Sequence, residues 1–364
     1  MKISYISNST IPSRTANSVH VMKMCEAFSK LGHSVTLYSS PGTDKDPFEY
    51  YNIEHRFKLQ YCSRPNYGRL GNLLYARNVC NNLIESDVIY SRYIYPMAIL
   101  QNTGSKLIYE AHQPPGHLFG KSVEKYTYGK ESFEVLVTIS NSLKNYYTTE
   151  FGYDDTDKII TLHDAADPID ESVEKTSLDR ATSLHRLQIG YVGSTSKGKG
   201  VGFILTLAKH VKDHQFHIVG GSTKEVESMY GDIPSNVACH GYVPNSETGR
   251  YIKSFDILLA PYREKVTPAN SDQDLSRYMS PLKIFEYMSS GNPMICSDLP
   301  VLREVLTHGE NCYLADCGDV HEWEQVIRTL ENRNIRVEIG NQAYETFVNH
   351  HTWERRAQEL LNYL

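Results

Sequence analysis

Long apolar runs, paired cysteines and a surplus of positive charge are all missing from this 364-residue chain. No stretch approaches the roughly 18 apolar residues that span a bilayer, and the opening run 1–7 meets Asn8 too early for a secretory leader. Seven cysteines, at 25, 62, 80, 239, 296, 312 and 317, form no C-x-x-C pair and no zinc-ribbon spacing. An odd number of unpaired thiols suits a reducing compartment, so a cytoplasmic protein is expected. Lysine and arginine number 37 against 43 acids, a net charge of -6 that provides no global basic field for a nucleic-acid backbone. Glycine (23) and proline (15) are too few for a collagen-like or disordered chain, while 40% hydrophobic residues suffice to build cores.

The length, at roughly 150 residues per domain, favours two domains. Short β-branched and aromatic runs alternate with helical patterns throughout, the pattern of parallel sheets wrapped by helices. Strands are expected at 3–7, 34–39, 88–93, 107–111, 135–139 and 159–162, and the series restarts at 187–192, 216–219, 237–242, 257–261, 294–297 and 312–315. Between the two series, residues 166–186 are charged and lack apolar periodicity, as a linker does. Two doubly wound α/β domains follow. Ligands in such sheets sit beyond the carboxyl ends of the strands, which directs attention to the loops after them.

The first of these, 8–16, leads into a helix with Val21, Met24, Cys25 and Phe28 on one face, capped by Asn17 or Ser18 and ended by Gly32. The second domain opens alike, its first strand running into Gly193-Ser194-Thr195-Ser196-Lys197-Gly198-Lys199-Gly200 and then a helix with Val201, Ile204, Leu205 and Ala208. This turn is either a phosphate cradle with lysines or a plain glycine-rich loop. Gly200 occupies the place of the magnesium-binding hydroxyl of a P-loop, which disfavours an NTPase. The next strand ends at Val219-Gly220-Gly221 with no acid for a ribose, which disfavours nicotinamide binding.

The run Ser280-Pro281-Leu282-Lys283-Ile284-Phe285-Glu286-Tyr287-Met288 predicts a helix capped by Ser280 and stopped by Gly291 and Pro293. Ile284, Phe285 and Met288 form its apolar face. Lys283 and Glu286, about 60° apart, form a charged one that can oppose phosphate and hold sugar or ribose hydroxyls, or be an ordinary exposed pair. A further helix is expected from 297 to Gly309, and an amphipathic one after Thr352 with Trp353, Ala357, Leu360, Leu361 and Leu364. In segment 55–78, Arg56, Lys58, Arg64, Arg69 and Arg77 meet no acid and interleave with Tyr61, Tyr67, Leu73, Leu74 and Tyr75. It is either a contact for anionic lipid or a solvated face beside core aromatics. Asp155-Thr156-Asp157 and Asp272-Gln273-Asp274 lie in polar loops, not at the end of an apolar strand, and read as surface acids; no metal site is expected.

Together these pieces resemble a retaining glycosyltransferase of family 4, whose GT-B fold has two Rossmann-like domains facing a cleft, with a C-terminal helix packing back toward the first. The resemblance covers most of the chain. It is most specific over 280–306 and is supported in order and spacing by 193–200 and 237–261. It implies an acceptor domain at 1–175, a donor domain at 176–347 and a crossing helix at 348–364. It also implies transfer of a sugar, of hexose type, from a nucleoside diphosphate sugar to a hydroxyl of a glycan or lipid-linked acceptor in bacterial-type polysaccharide synthesis, with no cofactor. On this likeness Lys199 meets the donor pyrophosphate, Glu286 is the second carboxylate of the E-x7-E motif on the ribose, and His112, in Tyr109-Glu110-Ala111-His112, lies by the transferred sugar. Gly193, Ser194, Tyr242, Ser280, Pro281, Leu282 and Lys283 complete the donor site, with Ala16 and Asn17 beside Arg14 in the first loop. The run 163–167 closes the first domain. Two positions depart from the family: Ser194 replaces a common arginine, leaving Lys199 as chief cation, and Tyr278 stands where the first Glu of E-x7-E belongs, leaving backbone at 279–282 to orient the sugar. A nicotinamide oxidoreductase and a non-catalytic nucleotide-sugar binder are the competing classes. Such an enzyme would work in the cytoplasm, at the inner membrane face if segment 55–78 touches lipid.

Overall fold

The computed structural model describes residues 1–66, 68–153, 156–178, 187–266 and 274–364, without the side chains of Arg69 and Thr156. The chain forms two compact units, one of residues 1–164 with 353–364, the other of 165–352.

In the first unit the strands are β1 (Lys2–Ile11), β2 (Ser34–Pro41), β3 (Lys58–Tyr61), β4 (Val88–Ser91), β5 (Lys106–Ala111), β6 (Phe133–Thr138) and β7 (Ile159–Thr161). They form one sheet in the order β3-β2-β1-β4-β5-β6-β7, every neighbouring pair parallel. Each of the six strands expected in this half is present. β3 is an addition: its half-exposed edge run Lys58-Leu59-Gln60-Tyr61 lacks the apolar signal of a central strand. The order reverses between β1 and β4, so their carboxyl ends open the crevice of this sheet.

The second unit repeats the plan with β8 (Gln188–Val192), β9 (Gln215–Val219), β10 (Val237–Cys239), β11 (Ile257–Ala260), β12 (Met294–Ser297) and β13 (Tyr313–Ala315), ordered β10-β9-β8-β11-β12-β13. Alternation along β11 sends Leu258 and Ala260 into one core and Ile257 and Leu259 into another, so the sheet is covered on both faces. The switch point lies between β8 and β11.

Several local expectations are corrected. Thr15, not Asn17 or Ser18, caps the helix Ala16–Lys30, its hydroxyl accepting from the Ser18 amide. The helix Leu282–Met288 starts after Pro281 with no side-chain cap, so Ser280 does not serve as one. Between 297 and Gly309 only a 3-10 turn forms, Leu302–Glu304, because Pro300 and the short span leave no room for more. The segment expected to link the domains belongs, over 165–178, to the second unit: the Ala166 amide donates to the His351 carbonyl, and Lys253 Nζ donates to the carbonyls of Asp170 and Glu171. Its remainder, with Asp179, Arg180 and Arg186, lies outside the described residues, as do Tyr67, Asp155, Asp272 and Gln273. Asp274 has a structural task, its Oδ1 accepting from the amides of Val266 and Ser276. The seven cysteines are free thiols. Among the described residues no helix is long and apolar enough to cross a membrane.

Candidate functional site

The second unit gathers its candidate residues at the carboxyl ends of β8, β9 and β10, where three glycine turns lie side by side. The Gly193 amide donates to the Val219 carbonyl at 2.9 Å, the Gly220 amide to Gly241 at 2.7 Å, and the Gly241 amide to Gly221 at 3.1 Å. Gly220, at φ +123°, sits so close that a Cβ there would lie 2.0 Å from the Gly193 carbonyl oxygen. Tyr242, one residue past Gly241, stands exposed on the same rim. Beyond Gly193 the chain is tied down by Tyr191 Oη donating to the Ser194 carbonyl at 2.5 Å and Tyr230 Oη donating to the Thr195 carbonyl at 2.7 Å. Gly200, in the left-handed region at φ 86°, opens the helix Val201–His210.

Lys199 and Lys283 converge here. Lys199 Nζ lies 5.2 Å from the centroid of Tyr262, which follows β11 across the switch point, and Lys283 Nζ lies 5.5 Å from the same ring. Lys283 is not on a solvent face as its helical spacing suggests: it is buried, its amine 3.5 Å from the Tyr191 ring centroid. Burial disfavours the charged form of Lys199, and burial together with the nearby Lys199 does so more strongly for Lys283. One turn on, Glu286 is half-buried, its carboxyl raised by burial and contacted by Asn245 Nδ2 at 3.5 Å. Thus Gly193, Ser194, Lys199, Lys283 and Glu286 occupy one locality, with Ser280, Pro281 and Leu282 at the head of the same short helix. Tyr191, Tyr262 and Asn245 were not legible as site residues, although an aromatic just before the glycine turn and another after β11 sit where this topology places ligands.

The first unit holds Ala16, Asn17 and His112. Asn17 Nδ2 donates to Ser9 Oγ at 2.5 Å, bridging β1 to its helix. His112 follows β5, whose otherwise apolar run carries the fully buried Glu110. Around that carboxylate gather His112 Nε2 at 2.5 Å, His20 Nε2 at 3.1 Å, Arg92 Nε at 3.7 Å and, from the C-terminal helix Trp353–Leu361, Arg356 Nη2 at 3.0 Å. Asp164 joins through His20 Nδ1 at 2.7 Å. Arg356 also donates to the carbonyls of His163 and Leu162, so the segment expected to close this domain is pinned by the last helix. The cationic partners hold the Glu110 carboxyl well below the usual range against the opposing effect of burial. Arg92 Nη2 reaches His112 Nδ1 at 2.5 Å. A guanidinium only donates, so Nδ1 accepts and Nε2 carries the ring proton toward Glu110. Burial and Arg92 push the His112 pKa down to about 4, keeping the ring neutral at pH 7 with both nitrogens engaged. His20, Arg92 and Arg356 were not anticipated, and Asp164 only as part of the run 163–167; the one available signal for the cluster was a glutamate inside an apolar strand.

Among the described residues two groups place His and carboxylate atoms close enough to share an ion: His20 with Glu110 and His112, and Asp213 with His214 and Glu331. Guanidiniums already lie on these acids, Arg356 and Arg92 on Glu110 and Arg328 on Asp213 and Glu331. A divalent cation would have to displace them.

Elsewhere in the first unit, Glu124 is buried, with the hydroxyls of Tyr128 and Tyr147 donating to its Oε2 at 3.0 Å each. Burial raises its pKa from 4.5 to about 7. The unfolded chain therefore releases this proton first, and stability falls as pH rises from 4.5 through 7. Glu124→Gln should stabilise the protein at pH 8 by up to about 3 kcal/mol and do nothing at pH 4, which thermal midpoints at the two pH values check.

The fold and the two loci define a class, that of two-domain enzymes built on paired Rossmann-like units. Residues 18–170 match the family model described as Glycosyltransferase Family 4, and residues 186–333 match that of Glycosyl transferases group 1. The amylovoran biosynthesis glycosyltransferase AmsK of Erwinia amylovora is 26% identical over 204 residues, covering 52% of this chain and 48% of AmsK. The chain thus spans about half the length of that curated relative. Sucrose-phosphate synthase from Thermosynechococcus elongatus superposes with a TM-score of 0.75 at 14% identity, over 99% of this chain and 97% of its own. HepE of Anabaena, in complex with UDP and glucose, superposes with a TM-score of 0.73 at 16% identity, over 100% and 98%. Together the matches support a glycosyltransferase of the GT-B type.

Proposed function

We propose that this protein transfers a sugar from a nucleoside diphosphate sugar to a hydroxyl of a glycan or lipid-linked acceptor, with the donor on the second unit and the acceptor on the first. The single observation that carries this reading is the convergence of two amines, Lys199 and Lys283, by the Gly193 turn at the β8/β11 switch point, with no carboxylate in ion-pair contact with Lys283 among the described residues. HepE is recorded with UDP and with UDP-glucose, which supports a diphosphate as the ligand.

In the proposed reaction the bond between the anomeric carbon and the β-phosphate oxygen breaks, leaving positive charge on the sugar and negative charge on the departing diphosphate. A lysine about 4 Å from that charge contributes on the order of 4 kcal/mol at an effective dielectric near 20, before desolvation. Lys199 and Lys283 supply this, the amides of the glycine turns add donors, and Glu286, held by Asn245, accepts from ribose hydroxyls. Retention of configuration rests on the family resemblance and is tested by the anomeric NMR signal of the product. For His112 to carry a proton, either its bond to Arg92 or that to Glu110 must open; closed, it is a fixed neutral ring.

Contact with membrane lipid belongs to the same proposal. The helix Gly68–Asn82 exposes Leu70, Leu73 and Leu74, with Tyr61 exposed on the edge strand β3. Of the basic residues whose side chains are described, Arg56 pairs with Asp46 at 3.3 Å and Arg64 donates to Asn72 and the Asn8 carbonyl, which leaves Lys58 and Arg77 for anionic headgroups.

Hydrolysis or transfer should be measured with UDP-, GDP- and ADP-sugars. One of them should turn over, Lys199→Ala should lower kcat/KM by about tenfold or more, and EDTA should leave the rate unchanged. Tight donor binding without any turnover would make the protein a binder, and a rate abolished by EDTA and restored by Mg²⁺ or Mn²⁺ would remove the lysines from their proposed role.

A further inference from the structure

Lys283 sits where a lysine rarely does. Its side chain is 9% exposed and its amine donates no hydrogen bond among the described residues. Among the described residues the groups that act on it are Tyr191 on β8, Lys199 before the helix Val201–His210, Tyr262 after β11, Cys296 on β12 and, on its own helix, Glu286. Beyond the ring of Tyr191, none of them hydrogen-bonds or ion-pairs with it; Glu286 is contacted by Asn245 instead. A Cβ on Gly193 would lie 2.8 Å from Lys283 Cε and 2.9 Å from Nζ, so the amine is lodged in the space that glycine leaves under the turn. Ser194, next in the turn, brings no charge of its own. An amine desolvated beside a second amine is a poor place to keep a proton. A diphosphate entering beside Lys199 brings the negative charge that makes it a good one.

Resting on the diphosphate site proposed above, we propose that Lys283 waits as a neutral amine in the free protein and takes up one proton from solvent when a diphosphate enters, becoming the second cation on the ligand beside Lys199. The nitrogen lone pair accepts the proton from the buffer acid, and no other bond changes. Lys283 is therefore a ligand-charged residue, and donor binding weakens as pH rises because the proton becomes harder to acquire.

The experiment is calorimetric titration of UDP at pH 8 in HEPES and in Tris, whose ionisation enthalpies differ, so that the difference in observed heat counts protons. UDP is fully ionised there, its last phosphate pKa being near 6, so uptake reports on the protein. About one proton taken up per UDP is expected for the native sequence and none for Lys283→Met. Lys283→Met should also bind UDP about tenfold or more weakly, yet melt at a higher temperature without UDP, because a buried amine without a partner has been replaced by a thioether. A merely structural lysine would not move the buffer dependence. Binding without proton uptake, or uptake persisting in Lys283→Met, would overturn the inference. Inorganic pyrophosphate separates the two proposals: if it binds in a Lys283-dependent way while UDP does not, the nucleotide donor falls and the lysine site stands; if neither binds, both fall.

Discussion

Glu110→Ala is expected to lower the free energy of unfolding by about 3–5 kcal/mol, the cost of leaving buried charges without their partner. The alanine would strand Arg356, which is 2% exposed and lies 3.0 Å from Glu110 Oε2, and Arg92, with Asp164 as the remaining acid of the cluster. It would also free the His112 ring, whose Nε2 then has no acceptor from β5. Urea denaturation of the variant gives the number, and a loss under about 1 kcal/mol would show that the cluster is not an interdependent network. Combining Glu110→Ala with Arg356→Met should recover part of the loss, since removing both members of a buried pair costs less than removing one.

Gly220→Ala should lower turnover about a hundredfold through the backbone alone. At φ +123° an alanine is strained by about 1–3 kcal/mol wherever it is placed. Here its Cβ would also meet the Gly193 carbonyl oxygen at 2.0 Å, a backbone atom that can yield only if the whole Gly193–Ser194 turn moves. A displacement of about 1 Å in such a turn is expected to lower turnover about a hundredfold. Gly231→Ala is the control. That glycine ends the helix Thr223–Tyr230 with φ +86° and nothing within 4 Å of a Cβ, so it carries strain without collision and should leave turnover intact. Equal turnover in the two variants would mean that the packing of the glycine turns is irrelevant to the site.

Twelve of the thirteen described strands were legible, most of them because a parallel strand buried on both faces is a continuous apolar run; the edge strand β10, only partly buried, was still marked by its Val237-Ala238-Cys239 run. The edge strand β3 escaped because half of it faces solvent. The helix caps failed by one to three residues at Thr15 and Pro281, since several hydroxyls or turn formers stood in a row and only tertiary packing chose among them. The glycine turn, Lys199 and Glu286 were marked by spacing along the chain. Lys283 was visible but misjudged: its helical position says only which face it shares with Glu286, and nothing local says that Tyr191 and Tyr262 cover that face. The Glu110 cluster was the least accessible, because His20, Arg92, Asp164 and Arg356 come from four distant parts of the chain and meet only once the sheet and the last helix are assembled.

The structure of this protein with UDP bound tests the proposed donor site most directly. The expected result is a diphosphate within hydrogen-bond reach, about 3 Å, of both Lys199 Nζ and Lys283 Nζ, against the Gly193 turn, with the ribose toward Glu286. A nucleotide seated in the first unit beside His112, or one in the second unit that touches neither lysine, would contradict it.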